Sequence, residues 1–177
     1  MKKIPLLLSV FAGILSFAQS TPLVINNFSS YHAVGRLRTG TPGGVAGPYM
    51  FASPNPPYGT YTVPAGGHTQ YNTFDTSGTA ILPIPIWYVT DNVTPSNNGS
   101  YPYNDNFITT TMNPSNEWAG FHFWLTDPAT GNTVDSYELG NPTIYPGFSY
   151  SLTGSFSSAD WYTITTPAGA ITYLEIY

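Results

Sequence analysis

The side chains of this chain that can do acid–base, metal or anion chemistry are three histidines, His32, His68 and His122, nine carboxylates, and the pair Arg36 and Arg38; cysteine is absent. Zinc needs several ligands converging on one point, and the histidines stand far apart on what read as separate strands, so no metal site is expected. Asp91, Asp105 and Asp127, with neighbouring Asn oxygens, come nearest to a calcium loop, but their spacing is not that of an EF-hand. Two acids facing each other across a cleft would do glycoside hydrolysis. Glu117, Asp135 and Glu138 flank one predicted hairpin, yet Asp135 and Glu138 fall on opposite faces of its returning strand, and no Glu-x-Asp-x-x-Glu run occurs. Neither a Gly-x-Ser-x-Gly elbow, a His-Glu-x-x-His pair nor a phosphate-cradling glycine loop is present. The chain is therefore expected to carry no catalytic residues and no cofactor.

What remains is the chemistry of contact. Arg36 and Arg38 share one face of a predicted strand, where two guanidinium forks can clamp a carboxylate or sulfate. Tyr49 and Tyr58 stand in a Gly- and Pro-rich stretch, residues 40–59, and Tyr101 and Tyr103 in an Asn- and Gly-rich one, residues 91–106. Tyrosine offers a large contact area at small entropic cost and asparagine offers adaptable hydrogen bonds, so such loops suit a polar ligand with flat faces. Trp118 and Trp124 lie in the segment EWAGFHFWLT, residues 117–126. With a period of two, Ala119, Phe121, Phe123 and Leu125 point one way and Trp118, Gly120, His122 and Trp124 the other. Both faces are apolar or aromatic. The second must be covered by a loop, packed in an interface or used for binding, and the loop at residues 40–59 is expected to lie over it. The candidate ligand set is Tyr49, Tyr58, Tyr101, Tyr103, Trp118 and Trp124, with Arg36 and Arg38 as a subsidiary anion site.

The elements that must position these residues read as strands. Asp127-Pro128 opens a turn and Gly131-Asn132 can close it, which makes residues 117–139 a hairpin. Further strands are expected over residues 23–28, 31–39, 60–63, 68–74, 107–112, 148–156, 161–165 and 170–177, with the run ILPIPIWYV paired only from Ile84 onwards because proline cannot donate to a ladder. No stretch of helical length shows a 3.6 period with a cap. The expected fold is all-β, an antiparallel sandwich of jelly-roll or immunoglobulin-like type with about nine or ten short strands.

Residues 1–20 read as a leader that is removed: Lys2 and Lys3, an apolar core too short to span a bilayer, and small residues around Ala18 and Ser20. This segment resembles Sec signals of Gram-negative bacteria, which implies a secreted or periplasmic protein whose single domain spans residues 21–177. Without it, two arginines stand against nine carboxylates, a net charge of −7, and no lysine remains. Nucleic acid is a poor partner for such a chain, since binding it requires a basic patch. No second apolar run reaches the length of a transmembrane helix. Charged residues make up 7% of the chain and aromatics 16%, so its surface must be built from hydroxyls, amides and tyrosine. That surface suits glycans, where flat rings stack and amides read hydroxyls. The function expected is a non-catalytic binding module for a neutral glycan or another polar cell-surface ligand, with affinity nearly independent of salt. The alternatives are a structural or membrane-active, pore-forming-like surface protein and, encouraged by the aromatic carboxy-terminus, an outer-membrane barrel. The oligomeric state is not set by these features.

Overall fold

The alternating apolar pattern along the chain becomes two sheets whose inward side chains meet in one core. The structure, a computed structural model, describes residues 21–43, 47–54 and 59–177; residues 1–20, expected as a leader, and Tyr58 lie outside the described residues. Among the described residues there are twelve strands: β1 (Leu23–Asn27), β2 (His32–Gly40), β3 (Tyr49–Ala52), β4 (Tyr61–Val63), β5 (His68–Tyr71), β6 (Ile86–Thr90), β7 (Gly99–Pro102), β8 (Glu117–Thr126), β9 (Thr133–Gly140), β10 (Ser151–Thr153), β11 (Ser158–Thr166) and β12 (Gly169–Ile176). The smaller sheet has the order β10-β11-β12-β1-β5, antiparallel except where β1 runs parallel to β12. The larger has the order β7-β6-β3-β2-β8-β9, and β4 shares with β3 the edge of β2 away from β8. Neither sheet closes on itself, so the outer-membrane barrel is set aside: a spanning barrel needs every strand edge paired.

The predicted hairpin is β8–β9. Its turn is tied by Asp127 N–H to the Asn132 carbonyl at 2.9 Å and by Gly131 N–H to the Asp127 carbonyl at 2.8 Å, with Gly131 at φ +73°. β8 sits between β2 and β9 and sends Phe121, Phe123 and Leu125 inward, where they join Leu37 and Met50 from the same sheet and Leu23, Ile25, Trp161, Leu174 and Ile176 from the other.

One residue breaks the alternation. Arg38 pairs with Gly120 but Thr39 pairs with Trp118, so Ala119 is an extra residue in β8 with no partner on β2. Such a bulge re-aims whatever precedes it. Trp118, expected beside Trp124 on the second face, turns into the core instead and is 3% exposed. There its ring lies 4.8 Å from Phe74, 5.4 Å from Tyr71 and 5.8 Å from Trp87. Tyr61 and Tyr71 complete this aromatic cluster through a hydroxyl–hydroxyl contact of 2.6 Å, and burial pushes both phenols up, that of Tyr61 well above its usual range.

Three expected segments differ. Residues 107–112, expected as a strand from their run of threonines, form a π-helical turn over Ile108–Met112. Thr109 and Thr110 bond back to the carbonyls of Asp105 and Asn106, and Ile108 and Met112, four apart, are both buried. The two long loops are also less irregular than expected, because they contain β3 and β7.

A loop after β10 is held by one carboxylate. Asp135 accepts from the backbone N–H groups of Ser155 and Phe156, each at 2.9 Å, from the Ser157 hydroxyl at 2.8 Å and from Tyr137 at 3.4 Å. Burial pushes this carboxyl up, but the donors outweigh it and hold the group below its usual value. A depressed folded value means that the contribution to stability is complete above the unfolded value of about 3.9 and is lost as pH falls through the folded one. Thermal melts from pH 6 down to pH 2 should therefore show Asp135→Asn below wild type at neutral pH and the gap closing in acid. A gap that stays constant across that range would exclude the linkage.

Candidate functional site

The outward residues of the larger sheet gather both arginines and a band of rings on one face. On β2 these are His32, Val34, Arg36 and Arg38; opposite them β8 places Trp124 beside Val34, His122 beside Arg36 and Gly120 beside Arg38. β3 adds Tyr49 and Phe51, β6 adds Tyr88, and β9 adds Ser136 and Glu138. Arg36 lies over the Phe51 ring at 5.4 Å, and Phe51 stacks on Tyr88 at 5.1 Å. The His122 imidazole lies 4.0 Å from the Glu138 carboxylate, and both side chains are well exposed.

The segment that follows β9 folds back over this face. Gly120 and Gly140 make room for it, since a Cβ on either would come within 2.8 Å of the Phe148 ring. Phe148 and Ile144 pack there on Ala119, the bulged residue, in a second small apolar cluster. Asn141 ties the segment down: its carbonyl accepts from Ile144 and Tyr145 N–H, and its amide oxygen accepts from Thr143 and the Tyr150 hydroxyl. Tyr145 is thereby held beside Arg38, whose guanidinium lies 5.3 Å from the centre of its ring.

Between this segment and the chain leaving β2 is a cavity of about 230 Å³, lined among others by Arg38, Thr41, Gly47, Tyr49, Ile144 and Tyr145. One water occupies about 30 Å³ of liquid, so the space admits a sugar-sized ring. Among the described residues its lining contains one cation and no carboxylate. Arg38 Nε is buried and has no hydrogen-bond partner. A larger hollow of about 430 Å³ beside Thr21, Asn72 and Ile171 is lined, among the described residues, by no ionisable side chain.

The residues singled out from sequence divide accordingly. Arg36, Arg38, Tyr49 and Trp124 come together on this face, Trp124 half-buried. Trp118 does not, because the bulge takes it inward. Tyr101 and Tyr103, expected as loop contacts, are packed against the core: Tyr101 sits 5.2 Å from Phe107 and donates to the Asn97 carbonyl, and Tyr103 lies so close over Gly78 that a Cβ there would be 2.3 Å from its ring. The cover over Gly120 comes from residues 141–149 and not from the described part of residues 40–59. Tyr145, Phe51 and Tyr88 were missed, and no sequence signal marked Tyr145, which reaches the site through a turn.

Among the described residues no three His, Asp or Glu side chains gather to hold a metal ion. Asp91, the nearest approach to a calcium ligand, spends its oxygens on the N–H groups of Val93 and Thr94 and on the Asn97 amide. His32 Nδ1 accepts from Ala65 N–H at 3.0 Å. No helix among the described residues is long and apolar enough to cross a membrane. No protein-family model matches the chain, and neither a curated protein nor a solved structure is significantly similar to it.

Proposed function

We propose that this chain is a secreted, non-catalytic binding module, a single β-sandwich domain of jelly-roll or immunoglobulin-like type following a cleaved leader, and that it presents the outer face of its larger sheet to a glycan. One observation carries the reading: both arginines of residues 21–177 lie on this face against aromatic rings, Arg38 at the wall of a cavity the size of a sugar ring, and among the described residues neither is paired with an acid. Aromatic rings give stacking surfaces to sugar rings, and guanidinium forks donate to their oxygens. The leader-like residues 1–20 support export, and the shortage of charge supports a hydroxyl- and amide-covered surface.

A glycan array tests this. Tyr145, which is 43% exposed, contributes a ring at the cavity mouth, so Tyr145→Ala should weaken binding about tenfold or more while the melting temperature stays near wild type. Tyr162→Ala, on the opposite sheet, should bind as wild type. If Tyr162→Ala loses binding and Tyr145→Ala keeps it, the site lies on the smaller sheet.

A second reading is favoured by a different surface. Phe28 stacks on Tyr177 at 5.7 Å and Tyr162 on Tyr173 at 5.3 Å on the smaller sheet's side, with Phe28 62% and Ile164 48% exposed. Such a patch suits a structural or membrane-active protein. Dye release from liposomes, abolished by Phe28→Ser, would favour that reading over glycan binding.

A further inference from the structure

We infer that the cavity at Arg38 is a carboxylate subsite, taking the ring of an acidic sugar such as a uronic acid with its carboxylate on the guanidinium and its ring against Tyr49 and Tyr145. This rests on the glycan reading above and names the ligand class within it, an acidic sugar with salt-dependent affinity where composition had suggested a neutral one. The first support is the state of Arg38. The chain has nine carboxylates for two arginines beyond its leader segment, so internal partners are plentiful in number. Even so, both guanidinium groups lie over rings, and the one contact of salt-bridge length among the described residues is that of the His122 imidazole with Glu138.

The second support is the guanidinium at the cavity wall. Arg38 lines the cavity, and because its Nε is buried without a partner, as is Trp118 Nε1 in the core, a ligand there would meet the outer nitrogens of the guanidinium. The guanidinium edge matches a planar carboxylate with two parallel hydrogen bonds, a geometry that a neutral hydroxyl cannot return. Arg36, two residues along on the same face, adds to the local positive potential in a chain that is otherwise strongly acidic.

The third support is the shape. Ile144 and the rings of Tyr49 and Tyr145 give apolar walls suited to the faces of a sugar ring. Gly47 and Gly40 keep the wall thin, since a Cβ on Gly47 would sit 2.4 Å from Thr41 Oγ1 and one on Gly40 2.7 Å from Ile144. A peptide carboxy-terminus fits less well. Peptides that add to a sheet pair with an edge strand, whereas this cavity lies over β2 and β8, both internal to the sheet.

The experiment is an array of uronic-acid oligosaccharides, each printed beside its carboxyl-reduced counterpart, probed with the wild-type protein and followed by calorimetry on the best pair. Wild type should bind the acid at least about tenfold more tightly than the reduced sugar, and its affinity for the acid should fall as salt is added. Arg38→Gln should lower acid binding to the level of the reduced sugar, and Arg38→Lys should restore part of it. Equal affinity for both members of each pair overturns the carboxylate subsite and leaves the glycan reading standing. Retention of no sugar overturns both. Binding of a free peptide acid but not its amide, with no sugar retained, replaces the sugar by a peptide terminus and overturns the inference as well. Should Arg38→Gln fail to fold, the acid and reduced sugars on wild type decide the matter without it.

Discussion

Trp118→Ala should cost about 3 to 5 kcal/mol, the range for deleting a large aromatic from a core, and should leave much of the protein unfolded or aggregated at 37 °C. The ring is 3% exposed and touches Tyr71, Phe74 and Trp87, which come from β5, the 3-10 turn after it and β6, so its removal opens a void where three elements meet. A domain with total stability of about 5 to 15 kcal/mol has little left after such a loss. Trp118→Phe should recover most of it. The indole N–H has no hydrogen-bond partner, so the smaller ring gives up volume and no hydrogen bond. Trp124→Ala, on the half-buried outer face, should change stability by about 1 kcal/mol. Denaturant titrations of the three variants decide this: a Trp118→Ala midpoint near wild type, or a collapse in Trp124→Ala, would mean that the bulge at Ala119 does not place Trp118 inside.

Gly35→Val should be comparably damaging for the opposite reason, too much volume in place of too little. Gly35 pairs with Phe123, and a Cβ there would lie 2.0 Å from the His122 carbonyl oxygen and 2.5 Å from Phe123 Cα. These are backbone atoms of the neighbouring strand and cannot rotate away. β2 and β8 would have to separate at the middle of the larger sheet, where overpacking already costs about 1 to 3 kcal/mol even when side chains alone must yield. Gly131→Ala provides the comparison. It sits at φ +73° in open space, so the expected cost is the backbone penalty of about 1 to 2 kcal/mol. If Gly35→Val unfolds at the same denaturant concentration as Gly131→Ala, the close approach of β2 to β8 is refuted.

The two variants also separate what could be read along the chain from what could not. The β class, the β8–β9 hairpin and most inward positions were legible, because period-two alternation and turn residues act locally: Phe121, Phe123 and Leu125 point inward for the same reason that Asp127-Pro128 and Gly131-Asn132 turn. The absence of cysteine, and the restriction of Lys and Arg in residues 21–177 to Arg36 and Arg38, were likewise read directly from the sequence. Tyr101 and Tyr103 show the limit. Their neighbours suggested exposed loop contacts, yet one side of each ring packs inward, on Phe107 and beside Gly78, and leaves the rings half-buried, an arrangement that periodicity does not weigh.

The face of Trp118 was decided by a single unpaired residue. Alternation assumes an unbroken ladder, and one extra residue at Ala119 reverses every side chain before it, which sent the tryptophan inward and left Ala119 outside as a seat for Ile144 and Phe148. The candidate site depends on the same event, since Tyr145 meets Arg38 only because residues 141–149 settle on that seat. Sequence by itself determined that Arg36 and Arg38 share a strand face and that the only lysines of this chain are Lys2 and Lys3. The tertiary structure alone determined that rings, and not acids, would meet those arginines, because the partners arrive from β3 and from a turn after β9, and long-range packing rather than local pattern sets where those lie.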